Sequence, residues 1–380
     1  MNILFLIGRF PPEDLGGAEL QCAALALRLA ARGHEVTVLT SRRRRAPEDE
    51  RRDGYRIVRA PAGRIPLVRF FVSMRSVAAA AARLAPSADV VACFQTFASG
   101  YLGVRAARRH RVPCVVWVRG TGEFEGTWRA RLFARGVYRA ADRIFVQSPR
   151  LEKALLARHG GLAGPKGPIE AKLRVVPNGV EAAGREPEPS RGADVVFLGR
   201  LVADKGVDDL IAAVRAIPGA RLTVAGEGPE RERLERLAAG AQVRFLGRIE
   251  PQAVTETLAG AAVVAHPALR GDGVPNVLLE AMSLGKPVVA TRTAGIPDIV
   301  RDGVDGILVA PHDVVGLSEA LASLLANAER RATLGRSAAQ RIRRFAWETV
   351  LPQVEDALAE AAGAGRPGSP STAVPPIRGI

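Results

Sequence analysis

Three cysteines, Cys22, Cys93 and Cys114, are too few and too scattered for a disulfide framework. They sit apart in apolar stretches, the pattern of reduced core thiols in a cytosolic protein. The five histidines show no metal-ligand spacing, so no metal is implied. Nowhere do eighteen apolar residues follow one another, which argues against a membrane-spanning helix. The opening MNILFLIG has no basic leader and meets Arg9 directly, so it reads as a first strand rather than a secretory signal. Aromatic residues make up 5% of the chain, and neither stacking platforms nor zinc-and-helix motifs of a nucleic-acid-binding protein are present. The GxGxxG turn of a nicotinamide-binding fold is missing as well.

What is present is a chain of 380 residues, long enough for two domains with substantial cores. Its net charge of +15 is unevenly placed: residues 1–185 carry 32 Lys and Arg against 15 Asp and Glu, while residues 186–380 carry 22 against 24. Such a field around one half concentrates an anionic surface or ligand near it. Arg42 to Arg45 read as a solvated loop running into a charged turn ending at Asp53. Leu67 to Leu84 reads as a helix with Phe70, Phe71 and Met74 at apolar positions and Arg69, Arg75 and Arg83 between them. Packing on a sheet is the simpler account of it, and docking on an anionic leaflet the sharper one. Arg131, Arg135, Arg139 and Arg143 recur every four residues, the stripe of a second basic helix that favours docking.

Strand and helix patterns alternate along the chain, which predicts an α/β fold. Strands are expected at 2–7, 35–40, 89–94, 114–118, 144–147 and 173–177, and again at 194–199, 222–225, 243–246, 263–267 and 307–309. Helices are expected at 21–32, closed by Gly33, and at 207–216, 231–239 and 314–326, with a final helix opening at Phe345-Ala346-Trp347. From Gly363 onward Gly, Pro and Ser dominate, so a disordered tail is expected.

Three loops carry chemistry. Arg270 to Ala290 reads as a turn-rich loop, a short helix from about Asn276 and an apolar strand. The first amides of that helix have no intrahelical partners and suit an anionic or polar ligand. Asp272 and Glu280 bracket its start, so both carboxylates can face one crevice. Gly199 to Gly206 places two cations, Arg200 and Lys205, five residues apart before a helix. Arg can hold a diphosphate with a bidentate fork and Lys as a compact point charge. Gly16 and Gly17, after Pro11-Pro12, let the backbone approach a ligand at a helix start; a plain strand-to-helix turn is the other reading.

Taken together, Pro275-Asn276, Glu280-Ala281-Met282, Gly285-Lys286-Pro287-Val288, Gly199-Arg200 with Lys205-Gly206, and Val176-Pro177-Asn178-Gly179-Val180 resemble the signature of glycosyltransferase family 4. The resemblance runs from the first strand to about residue 362 and implies a GT-B architecture of two facing Rossmann-like domains. Residues 1–185 would form an acceptor-binding domain, 186–345 a nucleotide-sugar domain, 346–362 a helix crossing back to the first domain, and 363–380 a tail. It also implies a retaining transfer from a nucleotide-diphosphate sugar, uridine or guanosine, to a saccharide or lipid-linked acceptor, with no metal or cofactor.

In that scheme Arg200 and Lys205 neutralise the diphosphate, Glu280 holds the ribose hydroxyls and Asp272, an aspartate where relatives carry glutamate, touches the donor sugar. Gly273, Val274, Pro275 and Asn276 complete the sugar pocket, Arg248 and Ile249 lie by the base, and Gly16 and Gly17 lie where acceptor and donor phosphate meet. Many relatives have a histidine at the end of the strand where this chain has Arg119, which cannot act as a base near neutral pH but can bind phosphate or a carboxylated sugar. Gly120, Gly122 and Glu123 are candidates for lining the same site. The expected location is cytoplasmic, peripheral on the inner face of an anionic membrane, with polysaccharide or glycolipid synthesis as the setting. A catalytically silent nucleotide-sugar-binding protein is the alternative suggested by Asp272 and Arg119.

Overall fold

A computed structural model of the chain describes all residues except 13–15, 43–45, 64–65, 125–126, 166, 183–193, 271–272 and 364–380; the side chains of 66–68 and 129 are also left out. The first half is built on β1 (Asn2–Leu6), β2 (Glu35–Ser41), β3 (Asp49–Arg52), β4 (Tyr55–Ala60), β5 (Val90–Phe94), β6 (Cys114–Val118) and β7 (Arg143–Val146). A two-residue ribbon, β8 (Ala163–Gly164) with β9 (Gly167–Pro168), precedes β10 (Leu173–Val175). The sheet order is β10-β7-β6-β5-β1-β2-β4-β3, parallel throughout except for the edge hairpin of β3 on β4.

The second half holds β11 (Asp194–Leu198), β12 (Arg221–Ala225), β13 (Val243–Gly247), β14 (Val263–His266), β15 (Val288–Thr291) and β16 (Ile307–Val309). Their order is β13-β12-β11-β14-β15-β16, all parallel. Strands such as VVACF, CVVWV and VVAT are buried along their whole length because helices cover both faces of each sheet. The architecture is GT-B, and the Trp347–Gly363 helix crosses back to pack Trp347, Val350, Val354 and Leu358 into the first half's core beside Phe5, Phe94 and Trp117.

In each sheet the strand order reverses once. The chain leaves β1 toward β2 and β4, then restarts on the other side with β5, β6 and β7; likewise β12 and β13 lie on one side of β11 and β14 to β16 on the other. Beyond the carboxyl ends of the strands, each reversal leaves a crevice between β1 and β5 and between β11 and β14, where open parallel sheets bind ligands.

Several sequence expectations need correction. The charged stretch before Asp53 is not all loop: β3 pairs with β4 across Asp53-Gly54, both at positive φ as a tight two-residue hairpin turn requires. Arg42 pairs with Glu48, while Arg43 to Arg45 lie outside the described residues. Arg143 does not continue the stripe of Arg131, Arg135 and Arg139; the helix is Trp128–Ala140, and Arg143 opens β7. Phe70 and Phe71 are not core residues, being 63% and 68% exposed, whereas Met74 on the same helix does pack inward. The first helix starts four residues earlier than expected, at Gly17. Cys93 and Cys114 are not apart: they lie on adjacent strands with their Sγ atoms 3.9 Å apart, both buried and free.

Candidate active site

The crevice of the second sheet is made by the loops after β11 and β14. The Gly199-to-Lys205 loop is fixed backbone to backbone: Gly199 N donates to Ala225 O, Leu201 N to Glu227 O at 2.9 Å, and Leu269 N to Asp204 O at 2.8 Å. Gly206 adopts φ +62° with its Cα against Pro267 O, so a side chain there would be both strained and obstructed. Arg270 Nε reaches Asp204 at 2.8 Å, joining the two loops. This mooring leaves Arg200 exposed and Lys205 half-buried at the head of the Val207–Arg215 helix, while the opposite loop leads into the Asn276–Ser283 helix.

That short helix forms because Val277, Leu278, Ala281 and Met282 recur on the face buried against the sheet. Glu280 is mostly buried on it, and desolvation raises its pKa. Arg248, after β13, is exposed, with its guanidinium 3.4 Å from Pro12 O of the first half; Ile249 beside it is half-buried. Gly271 and Asp272 lie outside the described residues, so Asp272 has no position to report.

The crevice of the first sheet is made by the loops after β1, β5 and β6. After β6, Arg119 lays its guanidinium over the Phe94 and Trp117 rings, 5.7 Å from each centroid. Burial lowers its pKa to about 10, with Glu123 acting in the opposite sense, so it is a cation at neutral pH. Glu123, a lining candidate, is half-buried and spends its carboxylate on the loops themselves. Its carboxylate accepts the backbone N–H of Arg119 and of Thr96, both at 2.6 Å, and so ties the β5 and β6 loops together. Burial nevertheless raises the pKa of Glu123, the Thr96 hydroxyl, the two amides and the Arg119 charge pulling it partly back. Gly120 is buried beneath this turn and Gly122 is exposed. The β5 loop itself is strained, with Gln95 at φ +85° and Ala98 at φ +42°.

The two crevices face each other and touch. Asn276 Nδ2 donates to Gly17 O at 3.0 Å, and Gly16 O receives Leu20 N in the first turn of the Gly17–Ala31 helix. Gly273 presses its Cα against Arg119 O and Gln147 Oε1, where any Cβ would collide. Val274 N donates to Gln147 Oε1 at 3.3 Å; Gln147 Nε2 donates to Asn178 Oδ1 at 2.7 Å; Asn178 Nδ2 donates to Val274 O at 3.1 Å and to Asn276 Oδ1 at 2.9 Å. Pro275 is buried under this junction. Of the sequence candidates, Gly16, Gly17, Arg119, Gly273, Val274, Pro275 and Asn276 thus meet at one junction, with Arg200, Lys205 and Glu280 on the adjoining loops and helix of the second half.

Gln147 and Asn178, both buried, are the junction residues that sequence reasoning did not single out for the site. The only signal for either was a polar residue closing an apolar strand and an Asn-Gly pair after a proline.

Comparison with known proteins agrees with this geometry. Residues 15–183 match the family model described as Glycosyltransferase Family 4, and residues 192–327 the one described as Glycosyl transferases group 1. The glycogen synthase of Mycobacterium tuberculosis is 30% identical over 92% of this chain and 92% of its own length. The D-inositol 3-phosphate glycosyltransferase of Acidothermus cellulolyticus is 31% identical over 91% and 87%. A GDP-mannose-dependent phosphatidylinositol monomannoside mannosyltransferase of Mycolicibacterium smegmatis is 30% identical over 88% and 91%. Among solved structures, the sucrose-phosphate synthase of Thermosynechococcus elongatus superposes with a TM-score of 0.81 at 24% identity, covering 93% of this chain and 97% of that one. Anabaena HepE in complex with UDP-glucose gives 0.76 at 22%, covering 94% and 99%. Two facing crevices, the family motifs lining them and full-length relatives at this identity place the chain in glycosyltransferase family 4, among the group 1 glycosyltransferases.

Proposed function

We propose that the enzyme moves a sugar, with retention, from a nucleoside-diphosphate donor to a saccharide or lipid-linked acceptor in the synthesis of cell-surface polysaccharide or glycolipid. The observation that carries this is the meeting of the two crevices: a diphosphate on Arg200 and Lys205 of one half has its sugar aimed at the loops of the other. As the bond from the anomeric carbon to the phosphate oxygen breaks, its electron pair goes to the diphosphate, whose growing charge the two cations offset. The acceptor hydroxyl attacks the same face, and the leaving phosphate oxygen takes its proton. Glu280 accepts hydrogen bonds from the ribose hydroxyls, and Asp272 serves hydroxyls of the donor sugar. The phosphatidylinositol monomannoside named for the Mycolicibacterium relative supports a lipid-linked acceptor.

The reading extends to a membrane. Phe70 and Phe71 on the Pro66–Leu84 helix, and Trp128 (67% exposed) and Leu132 (61%) on Trp128–Ala140, stand out of two helices that flank Tyr101–His110. Exposed Arg69, Arg75, Arg105, Arg108, Arg109 and Arg135 accompany them. Basic residues beside protruding aromatics suit the cytoplasmic surface of an anionic leaflet. Among the described residues no helix is long and apolar enough to cross the bilayer.

Thermal-shift titration with nucleoside diphosphates and nucleotide sugars tests the first reading. Selective stabilisation by one nucleotide class, lost in Arg200→Ala and Glu280→Ala, is expected, because a ligand that binds only the native state raises the melting temperature. A flat response to every nucleotide would sink it. For the second, vesicles rich in anionic lipid should sediment the protein at low salt, and Phe70→Ser with Phe71→Ser should weaken this; indifference to vesicle charge would refute docking.

A further inference from the structure

Among the charged groups of the first crevice, Arg119 is left unanswered. Its Nε is buried without a hydrogen-bond partner, and the carboxylates of Glu123 and Glu19 act on it through space. The nearest acid, Glu123, has each carboxylate oxygen committed to a backbone amide. Thr96, on the next loop, turns its hydroxyl to Tyr138 OH at 2.9 Å and toward Glu123 instead. Phe94 and Trp117 fix the plane of the guanidinium, so its donors form a fork of set orientation. Through its own carbonyl, Arg119 touches Gly273, the residue that opens the sugar-side loop of the other half.

Arg119 is half-buried, but its Nε is buried with no acceptor; a buried donor left unpaired lowers stability, so such an arrangement persists where a ligand completes it. The diphosphate already has two cations on the facing half, Arg200 and Lys205. Hydroxyl groups can accept from a guanidinium but leave its charge uncompensated, whereas a carboxylate matches the fork with two parallel charged hydrogen bonds.

We propose that Arg119 is a specificity-determining residue that pairs with a carboxylate carried by a sugar, so that a hexuronate takes part in the reaction, as the donor's sugar or as the acceptor's terminal residue. This rests on the transferase reading above. The test measures Kd by calorimetry for UDP-glucuronate and UDP-glucose, with the corresponding GDP-sugar pair in parallel, and for methyl glucuronide and methyl glucoside on the enzyme saturated with UDP or GDP, using wild type, Arg119→Gln and Arg119→Lys.

In one of the two arms the carboxylated ligand should bind about 10- to 100-fold more tightly, as a hydrogen-bonded charge pair predicts. Arg119→Gln should abolish that preference and Arg119→Lys should restore only part of it. The arm showing the preference identifies donor or acceptor. Equal binding in both arms overturns the proposal, and so does a loss in Arg119→Gln that is the same for UDP-glucose and UDP-glucuronate, which would mark a phosphate contact. If UDP and GDP themselves fail to bind, the transferase reading fails instead. Arg119→Gln should melt no lower than wild type, separating ligand recognition from a structural role.

Discussion

At the scale of single residues, the junction between the crevices works by the absence of atoms as much as by their presence. Gly273 has no space for a methyl group between Arg119 O and Gln147 Oε1. Gly273→Ala should therefore separate the two halves, lowering stability by about 1–3 kcal/mol, the usual range for overpacking, and turnover far more than nucleotide affinity. Stability from denaturant melts and a comparison of kcat with nucleotide Kd check this together. Glu280 offers a pH test. Its folded pKa is raised by burial, so between the unfolded carboxylate's pKa and the higher folded value the native state holds more protons. Stability should then fall as pH rises through that window, and Glu280→Gln should remove the decline, leaving the ligand-free variant more stable than wild type at neutral pH while weakening nucleotide binding. Melting temperatures of both proteins from pH 4 to 8 would reveal a flat difference if the carboxyl were freely hydrated instead.

Among elements, the Trp347–Gly363 helix shows how the second half's chain stabilises the first. Trp347 lies beneath Arg28, whose guanidinium is 4.6 Å above the ring, and Gly179 packs against the indole where a Cβ would not fit. Trp347→Ala should cost about 3–5 kcal/mol, the range for deleting a buried aromatic, and calorimetry should find the loss in the first half's transition.

The same scale shows what the sequence made legible. The Asn276–Ser283 helix and the central strands were readable because apolar spacing and turn residues agree there, and a fully buried parallel strand leaves few alternatives. The β3–β4 hairpin was obscured by its charges: Asp49, Arg51 and Arg52 fit an edge strand as well as a loop, and only Asp53-Gly54 betrays the turn. Phe70 and Phe71 misled because an apolar residue at helical spacing is usually inside, and only the packing partners of the helix tell otherwise. Arg143 misled because a four-residue repeat continues by accident past the helix end at Ala140. The candidate site was legible wherever glycine and proline mark a loop that leads into a helix, as at Gly199 to Gly206 and Gly273-Val274-Pro275. It was illegible at Gln147 and Asn178, whose role is to hold another loop that lies far away in sequence.

For the whole molecule, the chain passes between the halves twice, and the two passages lie side by side. Val180 N donates to Phe345 O at 2.9 Å and Trp347 N to Val180 O at 3.0 Å, pairing Val180 with Ala346. Residues 181–345 thus leave and re-enter the first half at one point, so the second half is an insert spliced into a discontinuous host. A host chain in which residue 180 is joined directly to residue 346 by a short flexible linker should fold without the insert, whereas a truncation ending at residue 180 should not, because it lacks the helix that fills the core. Cooperative melting of the spliced chain and its loss in the truncation would demonstrate this. The same splice point makes the insert exchangeable: one contiguous cassette could be transplanted with the first half left in its original sequence, and under the proposed function the exchange should change donor preference.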